Sequence, residues 1–160
     1  MNTLIVYSSK YGCTEQCAKI LSEELKGEAD LINLKNVKDI NISKYDTVII
    51  GGSIYIGKIQ KEVAGFCAKN LDILKEKKIG LFICGMQKEE EIQSELNNNF
   101  PPELLKIAVA KEHFGGEFRF DKMNFLERMV VRKVSNISSD QSNILRDNIN
   151  KFAKAMKEAI

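Results

Sequence analysis

Short apolar runs alternate with longer stretches of helical periodicity along the whole chain. "TLIVYSS" (Thr3–Ser9) is rich in β-branched and aromatic residues, as a strand buried on both faces requires. In "TEQCAKILSEELKG", Cys17, Ile20, Leu21 and Leu25 fall on one stripe, which predicts a helix with Thr14 as N-cap and Gly27 as stop. "ADLINL" (Ala29–Leu34) and "YDTVIIGGS" (Tyr45–Ser53) read as the second and third strands, the latter an apolar run ending in glycines. Ile59, Val63, Phe66, Cys67 and Leu71 carry a helix pattern, and "KKIGLFICG" (Lys77–Gly85) is the fourth strand. The polar "KEEEIQSELNNNF" predicts a surface helix that stops before Pro101 and Pro102. "IAVAKEHFGGEF" (Ile107–Phe118) reads as a weaker fifth strand. A C-terminal helix carries Ile144 or Leu145, Ile149, Phe152, Ala153, Met156 and Ile160 on one face.

Strand–helix alternation predicts an α/β fold: a doubly wound, five-stranded parallel sheet of order 2-1-3-4-5, covered by helices on both faces. Residues 1–160 show no internal repeat, low-complexity segment or linker, so a single domain is expected. Ligands of such sheets bind at the carboxyl ends of the strands, near the switch point beside strands 1 and 3.

Composition narrows the classes. Of 160 residues, 44% are apolar and 29% charged, and the formal net charge is +2, which gives no argument for a nucleic-acid partner. No apolar run is long enough to span a membrane, and "MNTLIVYSSKYG" lacks the basic region and cleavage site of a signal peptide, so a cytoplasmic location is expected. Cys13, Cys17, Cys67 and Cys84 would then be reduced thiols. Their spacing matches neither a zinc site nor a Cys-x-x-Cys redox pair, and no metal is expected.

Three predicted strands end in loops that would converge on one crevice: "SSKYGCT", "GGSIYIG" and "CGMQ". The first offers hydroxyls from Ser8, Ser9 and Thr14 and amides opened by Gly12, and leads into a helix N-terminus, where an anion is favoured. It is neither a Walker A loop nor a dinucleotide fingerprint. The second places Ile54, Tyr55 and Ile56 between Ser53 and Gly57, large residues in a loop that suit a flat aromatic partner. The third, Cys84-Gly85-Met86-Gln87, allows close backbone approach and offers amides. A phosphate cradle, a stacking loop and an amide-lined loop, in that order, describe FMN.

Those residues carry a resemblance. The sequence is similar to the flavodoxin family, whose phosphate loop runs roughly Ser/Thr-x-Thr-Gly-x-Thr. "SSKYGCT" keeps Ser9, Gly12 and Thr14 at that spacing and departs at Lys10 and Tyr11, and the order of elements matches over nearly the whole chain. "SIYIGKIQKEVAGFCAKN" and "GGEFRFDKMNFLERMVVRKVS" also resemble the menaquinone-dependent protoporphyrinogen dehydrogenase branch, in which FMN oxidises protoporphyrinogen IX and a quinone accepts the electrons. The acidic residues of "CGMQKEEEIQ" depart from it.

The expected cofactor site is therefore Ser9, Lys10 by its backbone, Tyr11, Gly12, Cys13 and Thr14 on the phosphate, with Ser53, Ile54, Tyr55, Ile56 and Gly57 flanking the isoalloxazine. Cys84, Gly85 and Met86 would line its other side. No acid–base side chain is expected to be essential, since the chemistry belongs to the flavin. Arg119–Val134 has five basic and two acidic residues among Phe120, Met123, Phe125 and Met129. It suits a membrane surface, a quinone pool or a carboxylated tetrapyrrole, or else a core-facing amphipathic helix. His113 is expected to be structural or solvated, and "KEEE" at Lys88–Glu91 a solvated helix start. The residue six after Cys13 is Lys19, against the Cys-x5-Arg of a low-molecular-weight phosphatase, and the strand ends lack the acidic residues of a receiver domain. Three classes stay open: an electron carrier with a redox partner protein, an enzyme oxidising a small molecule with a quinone as acceptor, and a flavin-free interaction module. The oligomeric state is not fixed by the sequence.

Overall fold

The computed structural model describes residues 2–37, 39–85, 88–118 and 141–159. Five parallel strands form the central sheet: β1 (Thr3–Ser8), β2 (Ala29–Asn33), β3 (Thr47–Tyr55), β5 (Lys78–Cys84) and β6 (Ala110–His113), in the order β2-β1-β3-β5-β6. This is the predicted doubly wound order. β4 (Lys58–Ile59) folds back antiparallel on the end of β3, pairing Ile54 with Ile59 and Tyr55 with Lys58.

Side chains alternate across the strands, so each strand feeds two cores. On one face, Leu4, Val6, Val48, Ile50, Ile79, Leu81 and Ile83 pack with Val63, Phe66 and Cys67 of α2 (Lys61–Lys69), Leu74 of α3 (Leu71–Leu74), Leu96 of α4 (Glu89–Asn99) and Leu104 of α5 (Pro102–Ile107). On the other, Ile5, Tyr7, Ile49, Phe82 and Cys84 pack with Cys17 and Leu21 of α1 (Cys13–Glu24) and with Ile149, Phe152 and Met156 of α6 (Arg146–Glu158). Strands buried on both sides explain why they read as continuous apolar runs.

Four expectations are corrected. The N-cap of α1 is Gly12, at φ 96°, and Thr14 lies inside the helix. Gly27 does act near the stop: at φ 69° its N–H donates to the Ser22 carbonyl, closing the turn after Glu24. Ile59 is in β4 rather than in a helix, and Leu71 opens the separate α3. The expected strand over 107–118 is divided. Pro102 starts α5, where a missing N–H is harmless. β6 then ends at His113, and Gly115 at φ 86° redirects the chain into β7 (Gly115–Phe118). β7 pairs antiparallel with β8 (Gln141–Ile144), which takes Ile144 out of the C-terminal helix. Ile160 and the basic, aromatic 119–134 stretch lie outside the described residues. No helix among the described residues is long and apolar enough to cross a membrane.

Tyr45 anchors the entry to β3. Its hydroxyl donates to Asp30 Oδ2 at 2.7 Å, and burial, then Asp30, pushes its pKa from 10.0 up to about 12. An acid held protonated by the fold stabilises it fully below the unfolded value, and that contribution is lost as pH rises through the folded one. Stability is therefore expected to fall between pH 10.0 and about 12. The Tyr45→Phe protein should lack this component in pH-dependent denaturant melts. An unchanged alkaline profile would refute the assignment.

Candidate functional site

The three predicted loops do converge. Ser9, Lys10, Tyr11, Cys13, Thr14, Ser53, Ile54, Tyr55, Cys84, Gly85 and Gly116 line one cleft of about 470 Å³, counted out to its open mouth.

The first loop is built to present amides. Ser9 Oγ accepts the Gly12 N–H at 2.9 Å, and Lys35 Nζ donates to the Ser9 carbonyl at 2.6 Å. Gly12 takes the left-handed conformation that releases the chain into α1. The Gln16 N–H makes the bond back to the Gly12 carbonyl, and the amides ahead of it have no partner within the helix. Two hydroxyls at this end, Ser8 Oγ and Thr14 Oγ1, are buried without a hydrogen-bond partner. A desolvated, unpaired hydroxyl costs roughly 1–3 kcal/mol, a burden the fold carries at the strand end where a ligand belongs.

The second loop is the tip of the β3–β4 hairpin. Ile56 and Gly57 both have positive φ, 50° and 76°, as a two-residue hairpin turn of the primed type requires. Such a position strains a β-branched residue, and Ile56 is also 59% exposed. The hairpin is held from two sides. Gln60 accepts the Ser53 N–H at 3.0 Å and bonds the Ser53 hydroxyl, while Asn99 of α4 accepts from the Ile59 N–H at 2.9 Å and donates to the Gly57 carbonyl at 3.2 Å. Ile54 and Tyr55 reach the cleft wall, whereas Ile56 and Gly57 stand at the tip outside its lining. Lys10 is exposed, and its Nζ lies 3.9 Å from the Tyr55 ring centroid. Replacing Ile56 with Asn, which tolerates positive φ, is expected to raise stability by about 1 kcal/mol, or roughly 2–4 °C in midpoint, in a flavin-free thermal melt. A lower midpoint would mean that the Ile56 side chain contributes more than its strain removes.

The third loop is pinned from below. His113, 4% exposed, shares a hydrogen with the Gly85 carbonyl at 2.7 Å, and the Gly85 N–H donates to the Gly115 carbonyl at 2.8 Å. Burial lowers the His113 pKa, opposed by the Gly85 hydrogen bond. A Cβ at Gly116 would collide with the Gly85 backbone, so close approach fixes this glycine. Met86 lies outside the described residues. His113 is thus structural, and Gln60, Asn99 and Gly116 are positioning residues that no sequence signal singled out. Ser8, a loop hydroxyl outside the expected cofactor set, is buried and unpartnered, as Thr14 is.

The cysteines also converge in a way their spacing concealed. The sulfurs of Cys13, Cys17 and Cys84 all lie within 4.8 Å of one another, while Cys67 packs on the opposite face of the sheet. Hydrogen bonds from the Cys17 and Cys84 thiols hold the Cys13 pKa below the ordinary thiol range, against the opposing effect of burial. Burial first, and then its thiol neighbours, raise that of Cys84. Burial alone pushes Cys67 up to about 12.

The cleft fits the FMN expected from the sequence. The amides of α1 and the orphaned Thr14 hydroxyl match a dianionic phosphate, and Ile54, Tyr55, Cys84 and Gly85 line the same cleft, a lining of the kind a flat ring needs.

Comparison with known proteins agrees. Over 155 residues the chain is 21% identical to protoporphyrinogen IX dehydrogenase (quinone) of Escherichia coli, covering 92% of this chain and 86% of that one. A short-chain flavodoxin associated with a non-canonical PDU bacterial microcompartment superposes with a TM-score of 0.65 at 15% identity, over 99% of this chain and 97% of that one. A Fusobacterium nucleatum flavodoxin variant bound to flavin mononucleotide gives 0.53 at 18% identity, over 98% and 95%. A family model described as "Flavodoxin domain" matches residues 4–144, and the chain belongs to that family.

Proposed function

We propose that this flavodoxin-family protein holds one FMN noncovalently in the cleft and serves as an electron carrier between redox partners. The observation that carries the reading is the buried, unpartnered Thr14 hydroxyl at the N-terminal end of α1, on the wall of the cleft that Tyr55 also lines. The α1 amides, Ser9, Tyr11 and Thr14 hold the phosphate, with the positive end of the helix dipole directed at its charge. Ile54 and Tyr55 take one face of the ring and exclude water from it. Cys84 and Gly85 approach the other by backbone, held there by His113 and Gly116. Lys10 must leave the Tyr55 ring for stacking and then lies beside the phosphate loop, where its charge favours the dianion. FMN, when bound, supplies the reversible uptake of electrons, and the chain supplies position and environment.

The similarity to the quinone-linked dehydrogenase over most of both chains favours a second reading, an enzyme that oxidises a protoporphyrinogen-like substrate and reduces a quinone. Purified protein should release about one FMN per chain, as a single switch-point cleft implies. Steady-state assays with protoporphyrinogen IX and a menaquinone analogue then separate the readings. A carrier exchanges electrons with a flavoprotein reductase and shows no turnover, whereas sustained quinone-dependent turnover selects the enzyme. Protein that neither contains nor takes up FMN defeats both.

A further inference from the structure

We propose that Cys13, Cys17 and Cys84 form a binding site for one soft monovalent metal ion, Cu(I), beneath the floor of the cleft. Cys13 and Cys17 are one helical turn apart on α1, an i,i+4 spacing that places two ligand atoms on one side of a helix, as in the paired histidines of helical zinc sites. Cys84 ends β5 and closes the triangle from the sheet. An ion held at about 2.3 Å by three sulfurs in a plane needs them roughly 4 Å apart, and the three stand within 4.8 Å of one another. The backbone carrying them is held by β5 and α1.

The donor set selects the ion. All three ligands are soft sulfurs, and no His, Asp or Glu ligand atom joins their group among the described residues. Soft thiolate sites favour Cu(I), which is satisfied by three ligands, whereas Zn²⁺ asks for a fourth. Cys17 is fully buried and Cys84 is 1% exposed, so a water would have little room to complete a tetrahedron. Cys13 opens α1, and the positive end of the helix dipole offsets the negative charge of the coordinating sulfurs. Entry is from the cleft, which Cys13 and Cys84 line. On binding, the thiol protons pass to the solvent and no electron is transferred.

His113 stands beside the site, its ring bonded to the carbonyl of the residue that follows Cys84. It is 4% exposed, and its Nδ1 is buried without a hydrogen-bond partner. With the Gly85 carbonyl accepting from Nε2, the proton sits on Nε2 and Nδ1 keeps its lone pair.

The test is an anaerobic titration of the full chain, reduced and as purified, against the Cu(I) complex of bicinchoninate, with flavin content followed separately in the visible spectrum. The wild type should withdraw about one Cu(I) per chain, with X-ray absorption showing sulfur-only ligation. Cys67→Ala should behave like the wild type, because Cys67 is on the other face of the sheet. Changing a partner outside the ligand shell already lowers metal affinity by about 10–100-fold, so Cys17→Ala should lose more than about tenfold. Circular dichroism confirms its fold, and Cys84→Ala serves if Cys17→Ala does not fold. No withdrawal by the wild type, equal withdrawal by the triad variants, or loss confined to Cys67→Ala overturns the site. Uptake of Zn²⁺ in preference to Cu(I) overturns the choice of ion. Because the ion enters by the cleft assigned to FMN, the wild type is titrated both flavin-free and with FMN added. Withdrawal by the flavin-free chain carries the site, and FMN uptake is read on its own in the visible spectrum, so failure of one reading is distinguishable from failure of the other.

Discussion

The Thr14→Val protein is expected to bind FMN about 10–100-fold more weakly than the wild type, and yet to be more stable when no flavin is present. Both signs come from one atom. Thr14 is 1% exposed, and its hydroxyl has no hydrogen-bond partner in the fold itself. Valine keeps the branched shape and the helical preference while removing the desolvated oxygen, so the flavin-free chain gains about 1 kcal/mol, or roughly 2–4 °C in midpoint. With the phosphate in place the same hydroxyl donates to a charged acceptor, an interaction of about 1.5–3 kcal/mol. Its loss is the drop in affinity. Fluorescence titration of FMN and thermal melts of the flavin-free protein read the two effects separately. Unchanged FMN affinity would remove Thr14 from the phosphate. A loss of stability without flavin would mean that the hydroxyl has a partner within the fold.

This opposition explains which parts of the molecule were legible in the chain. Strands such as Leu4–Tyr7 and Ile79–Ile83 are buried on both sides, so their identity is written in uninterrupted apolar runs. The three loops were legible because hydroxyls, glycines and exposed aromatics at strand ends contradict core packing. The failures share a physical cause: they rest on backbone conformations or on contacts distant in sequence. Thr14 has the side chain of an N-cap, but Gly12 turns the chain first, its left-handed backbone steadied by Ser9. The hairpin at Ile56-Gly57 lacks the usual Asn or Asp ahead of the glycine, so the apolar pattern runs Ile59 into the helix that follows. The polar run Asn97–Asn99 shows no sign that Asn99 holds that hairpin. The cysteine triangle exists only once β5 lies beside α1, which no spacing rule anticipates.

Gly51→Ala should be strongly destabilising, costing about 3 kcal/mol and lowering the midpoint by roughly 6–12 °C. Gly51 pairs in register with Phe82 on the neighbouring strand, and a Cβ there would fall within the Phe82 ring. That ring has nowhere to go. It stacks on Phe114 with centroids 4.5 Å apart, and Phe114 meets Phe152 edge to face at 5.2 Å. All three rings are at most 1% exposed. Displacing Phe82 therefore presses on Phe114, whose neighbours Gly115 and Gly116 pack against Gly85 in the third loop. FMN affinity should fall together with stability. Gly51, in the middle of β3, thus answers to a ring, and the pair can be separated by a double-mutant cycle. Phe82→Leu alone removes the stacked ring and should cost about 1–3 kcal/mol, but it vacates the space that an alanine at 51 needs. The double variant should therefore be more stable than the sum of the single losses predicts, by at least about 1 kcal/mol in denaturant melts. Additive losses would show that Gly51 is required for its backbone conformation, and that the aromatic triad does not transmit the strain to the cleft.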